Sequence, residues 1–281
     1  MNEAAAHTQI MGIINVTPDS FSGDGILSGT DYVAAALNQA ERMIEDGADM
    51  IDIGGESSRP GATLIRAEEE IRRVVPVIAA VRKKFAALPI AVDTVKAEVA
   101  REALQAGATI INDISSLRDT HMGAIAAQYG ARIILMHNRS AADDVSHDKK
   151  IGGQYNSPVY ADIVEDVTRD LSMRVDAAVA DGIGHDKMIL DPGIGFGKSP
   201  QENLELIMHL DHLKVLGFPI LMGVSRKSFI GHFLDLPVEE RLEGTAACVT
   251  ACVLRGANIV RVHDVKFMSR IVKMASALRD A

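Results

Sequence analysis

Cysteine is nearly absent from the chain: among 281 residues there are two, Cys248 and Cys252. Four apart in GTAACVTACVLRGA, they share one face of a helix rather than the tight loop of a zinc knuckle or redox motif, and they read as small buried apolar residues. No run of about eighteen or more apolar residues is present to span a bilayer, and the opening MNEAAAHTQI lacks the basic and apolar regions of a secretory signal. A soluble, cytoplasmic protein is the expectation. Positive charge is also in short supply. Lys and Arg number 29 against 38 Asp and Glu, a net charge of −9, which argues against a nucleic-acid-binding surface but leaves room for an anionic substrate held by a few local cations. Internal repeats, low-complexity segments and linkers are missing too. At 47 % hydrophobic and 24 % charged, residues 1–281 suit one large domain with a substantial core.

What is there is an alternation of short β-branched runs with longer amphipathic stretches, the pattern of parallel strands joined by crossover helices. Eight strands are predicted: IMGIINV (10–16), MIDIGG (50–55), PIAVDT (89–94), TIINDIS (109–115), RIILMH (132–137), KMILDPG (187–193), PILMGVS (219–225) and NIVRVHDV (258–265). Helical stretches such as DYVAAALNQAERMIEDGA and KAEVAREALQAGA lie between them, several ending in a glycine suited to a left-handed cap. Eight βα units imply a closed α/β barrel, the (β/α)8 or TIM barrel. A doubly wound open sheet would want a glycine-rich first turn, and NVTPDSFS has the wrong glycines. The stretch NRSAADDVSHDKKIGGQYNSP after the fifth strand is expected to be the longest irregular loop, on the surface.

Nearly every predicted strand ends in a polar residue. Asn15, Glu56, Asp93, Asn112, His137, Asp191, Ser225, Arg261 and His263 would therefore ring one mouth, at the strand C-termini where barrel enzymes carry their chemistry. Arg261 and His263 are two apart and share a strand face. One such residue is ordinary turn capping, but a full ring is not.

Individual motifs sharpen this. In DPGIGFGKSP, the Gly-Lys-Ser run resembles the end of a phosphate-binding loop, but three residues separate Gly193 from Gly197 where that motif needs four. A backbone turn presenting Asp191 inward is the better reading. GVSRKSFIG sets Ser225, Lys227 and Ser228 where the seventh strand passes into a helix, suited to an anion. Arg59, in the glycine- and serine-rich DIGGESSRPGA with Ser58, could clamp a phosphate or carboxylate with both arms of its guanidinium. His209 and His212 form a candidate metal pair but have no third ligand placed to complete a site. A loose magnesium site, in which the Asn15 amide oxygen works together with diphosphate oxygens, fits hard-cation chemistry better.

MGIINVTPDSFS, DIGGESSRPGA, VDT, INDIS, LMH, ILDPGIGFGK, GVSRKSFIG and RVHDV, in that order over residues 11–265, resemble the signature segments of the dihydropteroate synthase family. The family commonly has Thr where this chain has Ser58. The resemblance implies a transferase of folate biosynthesis that joins 6-hydroxymethyl-7,8-dihydropterin diphosphate to p-aminobenzoate, releasing diphosphate, with sulfonamides competing for the aminobenzoate site. It implies pterin contacts at Asp93, Asn112, Asp191 and Lys227, diphosphate contacts at Arg261 and His263, and Mg2+ at Asn15. By the same resemblance, Ser225 and Lys227 lie near the aminobenzoate carboxylate, Ser58 and Arg59 in a second mobile loop, and Lys227, Arg261, His263 and Asp93 are the catalytic set. Thr17, Pro18, Asp19, Ser20 and Phe21 then form a lid over the diphosphate, and family members are usually homodimers. Two rivals share the barrel. A pterin-using methyltransferase domain would have no use for a diphosphate clamp, and a silent pterin-binding paralogue would be expected to lose the lid or Arg261.

Overall fold

Short runs of aliphatic residues with no polar alternation suit strands covered on both faces, and all eight form. They are β1 (Gln9–Asn15), β2 (Met50–Gly54), β3 (Ile90–Asp93), β4 (Ile110–Asp113), β5 (Arg132–Met136), β8 (Met188–Asp191), β9 (Leu221–Met222) and β10 (Ile259–Val262), in a computed structural model. It describes residues 7–17, 31–58, 61–140, 145–148 and 150–281; the expected loop residues Pro18, Asp19, Ser20, Phe21 and Arg59 lie outside them. The strands are parallel, in the order β8-β5-β4-β3-β2-β1-β10-β9. The two ends meet where Leu190 pairs with Ile220 and its N–H donates to the Pro219 carbonyl at 2.9 Å, which closes the TIM barrel.

Between the strands run α1 (Tyr32–Glu45), α2 (Ala67–Lys84), α3 (Ala97–Gln105), α4 (Met122–Tyr129), α5 (Ile163–Ala180), α6 (Pro200–Met208), α7 (Ser228–Leu234), α8 (Leu242–Leu254) and α9 (Val265–Arg279). Their starts are set by side chains that accept the first free N–H groups: Asp31 for α1, Asp162 for α5, and a reciprocal Ser199–Glu202 pair for α6. Cys252 is buried and Cys248 half-buried on α8, and burial raises both thiols, to about 11 for Cys248. None of the described helices is long and apolar enough to cross a membrane.

The stretch expected as an irregular loop is regular in part. It holds an antiparallel pair, β6 (Val145–Asp148) and β7 (Gly152–Tyr155). The turn between them is made by Asp148, whose carboxylate accepts the N–H groups of Lys150 and Ile151 at 2.8 and 2.7 Å. Small and polar residues in such short strands leave no apolar alternation to read.

Two apolar layers hold the fold. One fills the space between sheet and helices. The other fills the barrel axis and takes one residue from each barrel strand: Met11, Met50, Ala91, Ile110, Ile134, Ile189, Leu221 and Ile259. Burying each of the larger members contributes about 1.5–3 kcal/mol, so the axis is a packed plug rather than a pore.

Candidate active site

Side chains alternate along a strand, so the next inward position above the plug lies two residues further on. For five strands that position is polar: Asp52 above Met50, Asp93 above Ala91, Asn112 above Ile110, Asp191 above Ile189 and Arg261 above Ile259. One more step brings His263 on the eighth barrel strand, and two steps above Leu221 and Met11 bring Ser225 and Asn15. The same parity removes His137 from the predicted ring. Ile134 points into the barrel, so His137 points out, where its Nε2 lies 3.3 Å from Asp170 on α5 and its ring 6.0 Å from that of Tyr160. Burial there pushes the imidazole down to about 3.

Arg261 ties the layer together. Its Nε donates to Asp52 Oδ2 at 2.6 Å and its Nη2 to Asp93 Oδ2 at 2.8 Å. Burial works against its charge, but Asp52 and Asp93 outweigh burial and hold it above the ordinary arginine range. Asp52 Oδ2 also accepts from Asn112 Nδ2 at 3.0 Å, which fixes the amide with its nitrogen toward Asp52. Burial pushes Asp93 up to about 7, with Arg261 pulling it down and Asp52 pushing it further up. Sequence reasoning passed over Asp52, because it sits inside a strand rather than at its end. Its signal was parity: a charged residue two places after the buried Met50.

The turn after β8 has the backbone role expected of it. Gly193, at φ 71°, donates its N–H to Asp191 Oδ1 at 2.7 Å, and a Cβ there would lie 2.0 Å from the His137 carbonyl oxygen. Burial raises Asp191, opposed by that N–H and by the charges of Lys227 and Lys198. Lys198, the lysine of the Gly-Lys-Ser run, is turned into the protein. Its ammonium donates to the carbonyls of Gly193 and Phe196, both at 2.9 Å, and burial pushes it down to about 7 against the pull of Asp191. Phe196 in the same turn lies under Lys227, whose Nζ is 4.1 Å from the ring centroid.

The loop after β9 is locked to the end of β10. Arg226 grips Asp264 with both arms, Nε to Oδ2 at 2.9 Å and Nη2 to Oδ1 at 2.6 Å. Ser225 Oγ accepts the backbone N–H of His263 at 3.3 Å and lies 2.9 Å from its Nδ1, which fixes the orientation of the ring. Arg226, Asp264 and Phe196 were not singled out from sequence. Each flanks a predicted site residue and serves by fixing it.

Ser58 sits at the edge of the described second-strand loop, its carbonyl accepting from Tyr155, while Glu56 is held by Lys96 Nζ at 2.9 Å and the Ile65 N–H at 2.7 Å. Asn15 is half-buried at the end of β1, beside Gly54. Among the described residues no cluster of three or more His, Cys, Asp or Glu could hold a metal, and His209 and His212 only pair with each other, their rings 5.5 Å apart. One amide oxygen at the rim fits a magnesium ion that keeps its waters and is carried by substrate oxygens, and does not make a protein cage.

Buried carboxylates and an amide over an apolar plug, with cations alongside, suit a flat heterocycle bearing adjacent donors and an anionic tail. This is the class of pterin-binding barrel enzymes, and the family described as pterin binding enzyme matches residues 11–263. The dihydropteroate synthase of Bacillus subtilis (strain 168) is 46 % identical over 272 residues, covering 96 % of this chain and 88 % of that protein. Among solved structures, the dihydropteroate synthase of Clostridium difficile in the presence of pteroic acid matches with a TM-score of 0.88 at 39 % identity, over 100 % of both chains. That of Xanthomonas albilineans with 4-aminobenzoic acid matches with a TM-score of 0.86 at 40 % identity, covering 98 % of this chain and 94 % of that one. The chain belongs to the dihydropteroate synthase family.

Proposed function

We propose that this chain condenses 6-hydroxymethyl-7,8-dihydropterin diphosphate with p-aminobenzoate, giving 7,8-dihydropteroate and diphosphate. The observation that carries the reading is the polar layer itself: Asp93, Asn112 and Asp191 beside Arg261 and Lys227, over an apolar floor. Asp191 accepts the ring N–H and the amino group that lie side by side on a pterin edge. Asn112, its nitrogen already engaged by Asp52, offers its oxygen to the next edge. Lys227 donates to the ring carbonyl.

The bond from the pterin methylene carbon to oxygen breaks with its electron pair leaving on diphosphate, and the aminobenzoate nitrogen forms the new bond and sheds a proton. Negative charge therefore grows on the departing oxygens, and Arg261 and His263 aimed at them favour the transition state over the ground state. The buried Asp93 faces the electron-poor carbon that remains. A magnesium ion would be held by Asn15, diphosphate oxygens and water, and when bound it neutralises charge on the leaving group. Ser225 and Lys227 hold the carboxylate of the second substrate. Ser58 and Arg59 close over it, and residues Thr17 to Phe21 cover the diphosphate and exclude water.

The whole chain, 1–281, acts as a single domain in the cytoplasm, as a homodimer, with sulfonamides competing against p-aminobenzoate. Exposed Phe267, Met274 and Leu278 on α9 support an oligomer, which sedimentation reads directly. The activity is tested by following diphosphate released from the pterin diphosphate. Release should require both p-aminobenzoate and Mg2+ and match dihydropteroate one to one; release that ignores p-aminobenzoate would refute the transfer.

A further inference from the structure

The β6–β7 hairpin touches two loops of the mouth directly and a third through Phe196, and none of the roles assigned above uses it. Tyr155, the last residue of β7, donates its hydroxyl to the Ser58 carbonyl at 3.3 Å. Its ring lies against Phe196, centroids 5.8 Å apart and planes 24° from parallel. Phe196 in turn carries the Lys227 ammonium. One side chain thus spans from the second-strand loop to the turn after β8, and through it to the loop after β9.

The hairpin is held firmly enough to act as a strut. Arg241, only 2 % exposed, donates Nη2 to the Ile151 carbonyl at 2.9 Å and Nη1 to the Arg226 carbonyl at 3.1 Å. It also donates to the Leu236 carbonyl. Lifting the hairpin away would break the bond from this buried guanidinium to Ile151, which is costly to leave unmade. The turn is closed on itself by Asp148, and Lys150 pairs with Asp235 at 2.6 Å. Burial raises the Tyr155 phenol, so it stays a donor at neutral pH.

We propose that Tyr155 is a positioning residue for the second substrate, fixing the Ser58 segment and the Phe196–Lys227 pair in one spatial relation. This rests on the reading that Ser58 and Lys227 face p-aminobenzoate. The Tyr155 hydroxyl lies on Ser58 and touches none of Asp93, Asn112, Asp191 and Lys227 among its described contacts, so its loss falls on the second substrate, whereas losing the ring as well removes the support of Phe196 beneath Lys227.

The experiment compares Tyr155→Phe, which keeps the ring and loses the hydroxyl, with Tyr155→Leu, which loses both. Steady-state constants are measured for each substrate separately. Tyr155→Phe should raise KM for p-aminobenzoate about fivefold, as one neutral hydrogen bond implies, and Tyr155→Leu about tenfold or more. The KM for pterin diphosphate should stay within about twofold in Tyr155→Phe, which a general loss of structure would not allow. In Tyr155→Phe, proportional rises in both KM values, a fall in kcat with p-aminobenzoate KM unchanged, or no change at all would overturn the proposal. If the unaltered chain shows no p-aminobenzoate-dependent release of diphosphate, the functional reading fails instead, and the two failures are told apart.

Discussion

Asp52 and Asp93 both lean on one guanidinium, and Asp52, 0 % exposed, has no water to replace it. Arg261→Met should therefore cost about 3 kcal/mol of stability or more, seen as a lower denaturant midpoint, because it strands a buried carboxylate. The same change should raise the barrier by about 3 kcal/mol, roughly a hundredfold in turnover, by losing a contact to the leaving group. Asp93 carries a pH signature. With its carboxyl up near 7 in the folded chain against 3.8 ordinarily, the folded state binds that proton more tightly than the unfolded chain does. The stabilisation is complete below about pH 4 and lost as pH climbs through about 7. Relative to the unaltered chain, Asp93→Asn should gain stability across that window and level off above it, as urea titrations at several pH values would report; a difference that does not move with pH would contradict the raised value. At this scale most of the site was legible. Asp93, Asn112, Asp191, Ser225, Arg261 and His263 stand where apolar runs turn polar, and that junction is visible in the sequence. Asp52 and Lys198 were not, since a strand-interior acid and an inward-turned lysine differ from their exposed kind only by parity and by what surrounds them. His137 shows the converse: it ends a strand but on the outward step, so position without parity misplaced it.

Turns and loops carry the precision. The segment after β8 bends back so closely that the Gly193 Cα faces the His137 carbonyl, with φ in the left-handed region. Gly193→Ala should cost about 2 kcal/mol or more through that clash and strain, and should weaken pterin binding by moving the N–H that orients Asp191. Thermal melting and ligand titration check the two effects; a variant that melts as before with unchanged affinity would remove the turn from the account. The Gly-Lys-Ser run was rejected as a phosphate loop on spacing alone, and the structure gives the physical counterpart, with the lysine spent on backbone carbonyls. The hairpin was missed because its strands are four residues each and mix polar with small side chains, so their pairing depends on a turn aspartate and a distant arginine. Neither leaves a period in the sequence.

On the scale of the molecule, the eight strands were legible because parallel barrel strands are buried on both faces and read as unbroken apolar runs. Closure then makes chemistry from distance: Asp52 and Arg261, 209 positions apart, share a hydrogen bond because β2 and β10 flank β1. The plug below gives the floor on which a flat ring rests, and the cations at β9 and β10 lie to one side of it. A crystal structure with bound 6-hydroxymethyl-7,8-dihydropterin diphosphate tests this arrangement most directly. The account predicts the ring lying on the Met50, Ala91, Ile110 and Ile189 layer, its edges on Asp191, Asn112 and Asp93, and its diphosphate against Arg261 and His263. A ring bound outside the barrel mouth, or one inside it with the diphosphate turned away from Arg261 and His263, would contradict it.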